Sequence, residues 1–149
     1  MDTLLHGFIT ATARLGLDYR FLLDDYERVP FVQGLGVSIE IIVSTMTASA
    51  VAGLVLLLAL RGRNRLVSGL ARGFIEVTRN TPTLVQLHCA FLVLNMLITQ
   101  WLHARGIDNP FKPFFWVVLV LSLHKAAFHA EALRAGFDAL PSQTLEGAA

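Results

Sequence analysis

Five side chains able to hold or move protons or ligands fall between His124 and Arg134: His124, Lys125, His129, Glu131 and Arg134. On a helix, His124, Phe128, Glu131 and Ala135 share one face, and Lys125 and His129 share an adjoining one. Zinc is disfavoured, because the two histidines are five apart rather than the four that sets two imidazoles on one face, and no HExxH stretch occurs. An intramembrane enzyme built on His124, His129 and Glu131 would need a paired catalytic signature that the chain does not show. Glu131 and Arg134 leave two readings open. They pair locally at a helix end, the arginine reaching for water, or they line a polar route, since charge inside a bilayer is costly without a purpose. Glu40 has the same pair of readings, an interfacial carboxylate or a pathway group. Gln86, His88, Asn95 and Gln100 are of the type that hydrogen-bond neighbouring helices, and Cys89 reads as a small packing residue. A single cysteine closes no internal disulfide and founds no Cys-based metal site. No GxxxxGK[ST] loop occurs, so if nucleotide energy is used, another chain supplies it.

The elements that must position these groups follow from composition. Apolar side chains make up 54% of the 149 residues and charged ones 15%, against about 45–50% and 25% in soluble domains. A soluble domain this short could not bury so much apolar surface. The net charge of +1 gives no electrostatic case for nucleic acid. Two uncharged stretches, Ile41 to Leu60 and Thr83 to Leu102, each hold the twenty residues a helix needs to cross the bilayer. A third begins at Phe114–Leu123 and runs into His124, Lys125, His129 and Glu131, so it spans if those groups face protein or water. The stretch Thr3–Leu17 is too short to span and reads as an interfacial amphipathic helix. Asp18 to Arg28 form a polar lead-in, and Pro30 marks the start of the first span.

Arginine sets the orientation. Arg61, Arg63, Arg65, Arg72 and Arg79 lie between the first two spans, with Glu76 the one acid, whereas the leading segment is rich in aspartate. Basic residues in short loops stay on the cytoplasmic side, which places the N-terminus outside. Within that loop Leu66, Leu70, Phe74 and Val77 recur at helical spacing and predict a helix on the inner interface, its arginines reaching lipid phosphates. Thr81 is expected to cap the second span with Pro82 at its first helical position.

Arg79-Asn80-Thr81-Pro82-Thr83-Leu84-Val85-Gln86-Leu87 resembles the RGTPxxVQL segment of polar amino acid ABC-transporter permeases, the binding-protein-dependent inner-membrane components. Further on, LSLHKAAFHAEALRAGFDALPSQTLEGAA is similar to their AAYxAExxRxGI…GQxEAA stretch, through Ala126, Ala127, Phe128, Glu131, Arg134, Gly136, Phe137, Glu146 and Ala148. Phe31, Gly34, Ser38 and Gly53 fall where that family has GLxxTLxxS…G in its first span. The chain departs from the pattern at Asn80, where glycine is usual, at Lys125 and His129, where neutral residues are common, and at Gly147, where alanine is usual.

The resemblance implies an all-α, multi-pass transmembrane bundle, with three spans present of about five expected. Residues 1–33 would form an extracytoplasmic segment and 34–149 a partial permease domain that ends inside the EAA loop, the front part of a longer permease. It implies a subunit of an ATP-driven importer for polar amino acids, not itself an enzyme, in the bacterial inner membrane. It binds no cofactor of its own: ATP is used by a separate ABC ATPase that grips the EAA segment, here Glu146, Gly147, Ala148 and Ala149. An extracytoplasmic amino-acid-binding protein and a second permease subunit are the other partners implied, besides the lipid bilayer. Arg79, Thr81, Pro82 and Gln86 are the matching motif positions. A small three-span interaction subunit that transports nothing is the alternative from another class.

Overall fold

The structure is a computed structural model that describes Gly7, Tyr19 and residues 24–139. The interfacial helix expected over Thr3–Leu17 and the EAA residues Glu146–Ala149 lie outside the described residues. Four helical segments follow one another: α1 (Asp25–Arg61), α2 (Arg65–Asn80), α3 (Thr83–His103) and α4 (Pro113–Asp138). Of these, α1, α3 and α4 are long and apolar enough to cross a membrane. The chain divides into two units, residues 1–40 and 41–149.

In the first unit the helix begins earlier than the sequence suggests. Pro30 was expected to open the span, yet Asp25–Arg28 are already helical and Pro30 lies inside α1. The cause is a cap. The Asp24 carboxylate accepts from the Tyr26 amide at 3.0 Å, and its carbonyl accepts from Arg28 N–H at 2.8 Å. Asp25 and Glu27 in the first turn favour the positive end of the helix dipole, and Asp25 also pairs with Arg28.

In the second unit, α1 meets α4 through small residues. Ser49 and Gly53 on α1 are buried, and Ala126, Ala127 and Ala130 on α4 have no accessible surface. A methyl group on Gly53 would come within 2.7 Å of His129 Cβ and 3.3 Å of the Ala126 carbonyl, so the helices approach too closely for any other residue there. Toward the end of α1, Leu60 joins Ala71 and Ile75 of α2 and Ala127 and Ala130 of α4 in one apolar cluster. The loop helix was expected, but of its apolar stripe Phe74 turns inward, half-buried against the cluster, and the other three face outward. Leu66, Leu70 and Val77 are 72%, 68% and 67% exposed, while α2 uses a second, smaller face of Ala71, Ile75 and Thr78 to pack on the protein. Asn64 caps α2 by accepting from the Leu66 and Val67 amides.

The second span carries a π-helical turn over Cys89–Leu94. Its wider i→i+5 bond, from Asn95 N–H to the Ala90 carbonyl, stacks Asn95 above Ala90 so that both meet Trp116 of α4. Ala90 is buried against Trp116 and Val120, while Cys89 is exposed. The packing role expected of Cys89 belongs to its neighbour. Gly106 ends α3 at φ 70°, with Gly106 N–H on the His103 carbonyl and Ile107 N–H on that of Leu102, a left-handed close that only glycine makes without strain. Asn95 accepts from Trp116 Nε1 and from Asn109 Nδ2, both at 2.9 Å, which ties α3, the loop and α4 together at this end.

Candidate functional site

The α2–α3 junction packs against the polar face of α4, and the side chains singled out by sequence meet there. Thr81 does not cap α3. Its hydroxyl turns back and donates to the Val77 carbonyl at 2.8 Å, satisfying an acceptor at the end of α2. Pro82 is the N-cap rather than the first helical residue, with extended ψ of 135°, and its carbonyl takes the amides of Val85 and Gln86. The chain thus turns sharply between two helices, and the polar groups freed at the turn need partners.

Gln86 supplies them. Its side-chain nitrogen donates to the carbonyls of Thr78 at 2.8 Å and Thr81 at 3.1 Å. Both amide hydrogens are then used, so Gln86 Oε1 is left as an acceptor. It faces His124 Nδ1 at 3.3 Å, and Thr83 Oγ1 lies 2.8 Å from His124 Nε2. A neutral imidazole protonated at Nδ1 fits every partner: it donates to Gln86 and accepts from the Thr83 hydroxyl. His124 is 7% exposed and its ring packs on Phe128 at 5.2 Å. Both ring nitrogens are spent on structure. The histidine is a strut, and Gln86 is the piece that joins three helices.

Two turns beyond His124 on α4, Glu131 holds two arginines. Arg134 lies 3.7 Å away on the same helix, the local pair expected from sequence, and Arg79 lies 3.7 Å away at the end of α2. The second partner was not foreseen. The guanidinium of Arg79 also stands over the Phe128 ring at 5.5 Å. Arg134 reaches on to Asp138 at 3.6 Å, and Asp138 to Arg61 at 3.4 Å, whose guanidinium covers Phe137 at 4.5 Å. A charged chain therefore runs from Arg79 through Glu131, Arg134 and Asp138 to Arg61, fastening α2 and the end of α1 to α4. Beside it opens a polar cleft of about 410 Å³ lined by Arg72, Glu76, Arg79, Asn80, Phe128 and Glu131.

Other expected groups are elsewhere. Glu40 is exposed on α1 in the first unit. His88 bonds its own helix, at the Leu84 carbonyl, rather than a neighbour. Lys125 and His129 are exposed along the groove between α4 and α1. The arrangement activates no nucleophile. It is a mechanical joint in which neutral hydrogen bonds and half-exposed ion pairs fix the ends of helices to one another.

No family model matches the chain. It is 30% identical over 123 residues to the arginine transport system permease protein ArtQ of Bacillus subtilis, covering 81% of this chain and 52% of that one. With the nopaline transport system permease protein NocM of Agrobacterium fabrum it shares 34% over 89 residues, 58% of this chain and 36% of the relative. The glutamate/aspartate import permease protein GltJ of Escherichia coli shares 34% over 82 residues, 52% and 33% of the two chains. Among solved structures, the crystal structure of an amino acid ABC transporter with histidines superimposes with a TM-score of 0.56 at 26% identity, covering 80% of this chain and 55% of that one. The chain spans about a third to a half of the length of these curated relatives. With three apolar helices in the same fold and this set of relatives, the chain is a homologue of the amino-acid ABC-transporter permeases of the inner membrane.

Proposed function

We propose that this chain is part of the membrane pathway of an ATP-driven importer that takes up a polar amino acid. The observation that carries the reading is the joint at α2–α3–α4. The positions that resemble the permease motif, Pro82 and Gln86, tie the α2–α3 turn to α4 through neutral hydrogen bonds, and Arg79, with Glu131 and Arg134, lays a partly hydrated chain of ion pairs beside them. A permease needs such a joint to turn a push at the membrane surface into a helix movement within it. In this reading the arginine-rich loop is cytoplasmic and the N-terminus lies outside. A separate ABC ATPase seats on the segment Glu146–Ala149 and hydrolyses ATP, and an extracytoplasmic binding protein delivers the solute. A second permease subunit completes the route.

The test is disruption of the gene, with uptake of radiolabelled amino acids measured in intact cells alongside co-purification of the tagged chain from detergent. Loss of uptake of at least one polar amino acid, and recovery of an ABC ATPase with the chain, is the expected result. Unchanged uptake of every polar amino acid, with no ATPase recovered, overturns the proposal. Orientation has its own readout in a Cys89→Ser background. Tyr26→Cys labels with an impermeant thiol reagent in intact cells and Ser68→Cys does not; labelling at Ser68 reverses the topology.

A further inference from the structure

The arginines between the first two spans do not share one fate. Arg61 is held by Asp138 and Arg79 by Glu131. Arg65 and Arg72 are exposed and have no ion-pair or hydrogen-bond partner among the described residues. They lie two turns apart on one edge of α2 and line a hollow of about 380 Å³, with Ser68 and Gly69 of the same helix and Leu60 and Gly62 at the end of α1. The Ser68 hydroxyl is spent on the Leu60 carbonyl at 3.1 Å, so the guanidiniums are what the hollow has to offer. Its lining holds no carboxylate. Glu76, the one acid of this segment, lies a turn past Arg72 and lines the adjoining cleft instead.

The same helix exposes the apolar stripe Leu66, Leu70 and Val77, which nothing among the described residues covers. At about 100° per residue, Gly69 and Gly73 fall between that stripe and the arginine edge. A methyl group on either would meet nothing within 4 Å, so the way from the apolar side to the cationic side is open backbone. A ligand that uses both sides carries acyl chains and an anion. We propose that α2 seats one anionic phospholipid of the adjoining leaflet, with its acyl chains along Leu66, Leu70 and Val77, its glycerol across Gly69 and Gly73, and its phosphate between Arg65 and Arg72. The guanidinium fork matches phosphate oxygens two at a time. A zwitterionic headgroup brings its own cation to the pair and gains less. Each basic residue beside an anionic lipid contributes about fivefold in affinity, about 25-fold for the two together. The inference is independent of the transport reading, since it needs only that α1 and α4 span and that α2 packs at their ends.

The test is lipid binding to the purified full chain in detergent, read by native mass spectrometry as the apparent affinity for the first dioleoyl phosphatidylglycerol or dioleoyl phosphatidylcholine retained. Phosphatidylglycerol is expected to bind about 25-fold more tightly. Arg65→Gln with Arg72→Gln should bring the ratio close to one, and because both side chains are exposed and unpartnered the packing should survive the exchange. Arg65→Lys with Arg72→Lys should keep a preference. Arg105→Gln with Lys112→Gln removes the same charge from the loop between α3 and α4 and should keep it in full. Gly69→Leu, with the charge untouched, should lose most of it. Equal affinity for the two lipids overturns the proposal, as does a preference that survives the loss of Arg65 and Arg72 or falls as far when Arg105 and Lys112 are exchanged. A preference indifferent to Gly69→Leu refutes the seating across the glycines. Displacement of the lipid by millimolar glycerol phosphate would make the hollow a site for a soluble phosphate and refute the lipid.

Discussion

Replacing Gly53 by alanine adds a methyl carbon that would stand 2.7 Å from His129 Cβ, 3.3 Å from the Ala126 carbonyl oxygen and 3.5 Å from the Ala130 nitrogen. Carbon atoms at rest are about 3.5–4.0 Å apart, so α1 and α4 must separate by roughly 1 Å at the crossing. None of the three atoms is the tip of a flexible side chain, so no rotamer change relieves the contact. Overpacking of this kind costs about 1–3 kcal/mol. The usual gain of about 0.5–1 kcal/mol on exchanging a helical glycine for alanine does little to offset it. In a bilayer the separated spans are already helical, so that gain cancels between the two states. Taking about 2 kcal/mol, and the scaling for a chain of this size, the unfolding midpoint in detergent should fall by roughly 5 °C. Gly73 on α2 is the control, since a methyl group there meets nothing within 4 Å; Gly73→Ala should hold or raise the midpoint. A second-site change sharpens the test. His129→Ala keeps the offending Cβ and should not rescue Gly53→Ala, whereas His129→Gly removes it and should recover part of the loss. A Gly53→Ala protein that melts with the parent, or rescue by His129→Ala, would show that the close approach of α1 and α4 is not what holds this unit together.

Gln86→Met keeps the shape but strips three polar contacts from the α2–α3 turn, and should destabilise the chain by about 2–3 kcal/mol in the same melting assay; an unchanged midpoint would mean that water serves those carbonyls equally well. Asn95→Leu should leave Trp116 Nε1 without its acceptor and Asn109 with Thr99 alone, and lower the midpoint, with increased solvent quenching of tryptophan fluorescence as an independent sign. Glu131→Arg should impair uptake by the assembled transporter while changing stability by less than about 1 kcal/mol, since each pair it breaks is half-exposed. The double variant Arg79→Glu with Glu131→Arg should recover part of that uptake, and failure to recover any would sever Arg79 from the role given to it.

The three spans were legible because a membrane span is a property of about twenty summed side chains, and no single residue can hide it. The loop helix was legible for a related reason: Leu66, Leu70 and Val77 repeat at helical spacing, and the structure leaves them exposed. Features that depended on one atom finding another were not legible. Asp24 moved the start of α1 ahead of Pro30 because a single carboxylate reached the Tyr26 amide. Thr81 lies between the carbonyl-rich end of α2 and the amide-rich start of α3, and composition could not say that its hydroxyl would donate to α2 rather than accept from α3. The π-helical turn at Cys89–Leu94 moved Asn95 onto the Trp116 face, which a period of 3.6 would not have done.

The joint shows the same division. The pairing of Glu131 with Arg134 follows from three-residue spacing on one helix, and the sequence states it outright. Arg79 comes to Glu131 through a turn, a second helix and the packing of small residues, so its part appears only when α2 is docked on α4. What makes that docking specific is the set of buried neutral bonds beside it. Ion pairs that are a third or more exposed hold helices weakly, whereas the Gln86–His124–Thr83 contacts leave unsatisfied donors and acceptors behind if α4 shifts. The neutral network therefore fixes register, and the charged chain from Arg79 to Arg61, weaker and partly hydrated, is the part free to rearrange. In a transporter that must alternate between two states, this predicts that the bonds of Gln86 persist through the cycle while the partners of Glu131 change. A bifunctional thiol cross-linker joining Thr83→Cys to His124→Cys should then leave uptake largely intact, and one joining Arg79→Cys to Glu131→Cys should stop it. The reverse pattern would mean that the hinge lies at the buried contacts and that the ion pairs are the rigid element.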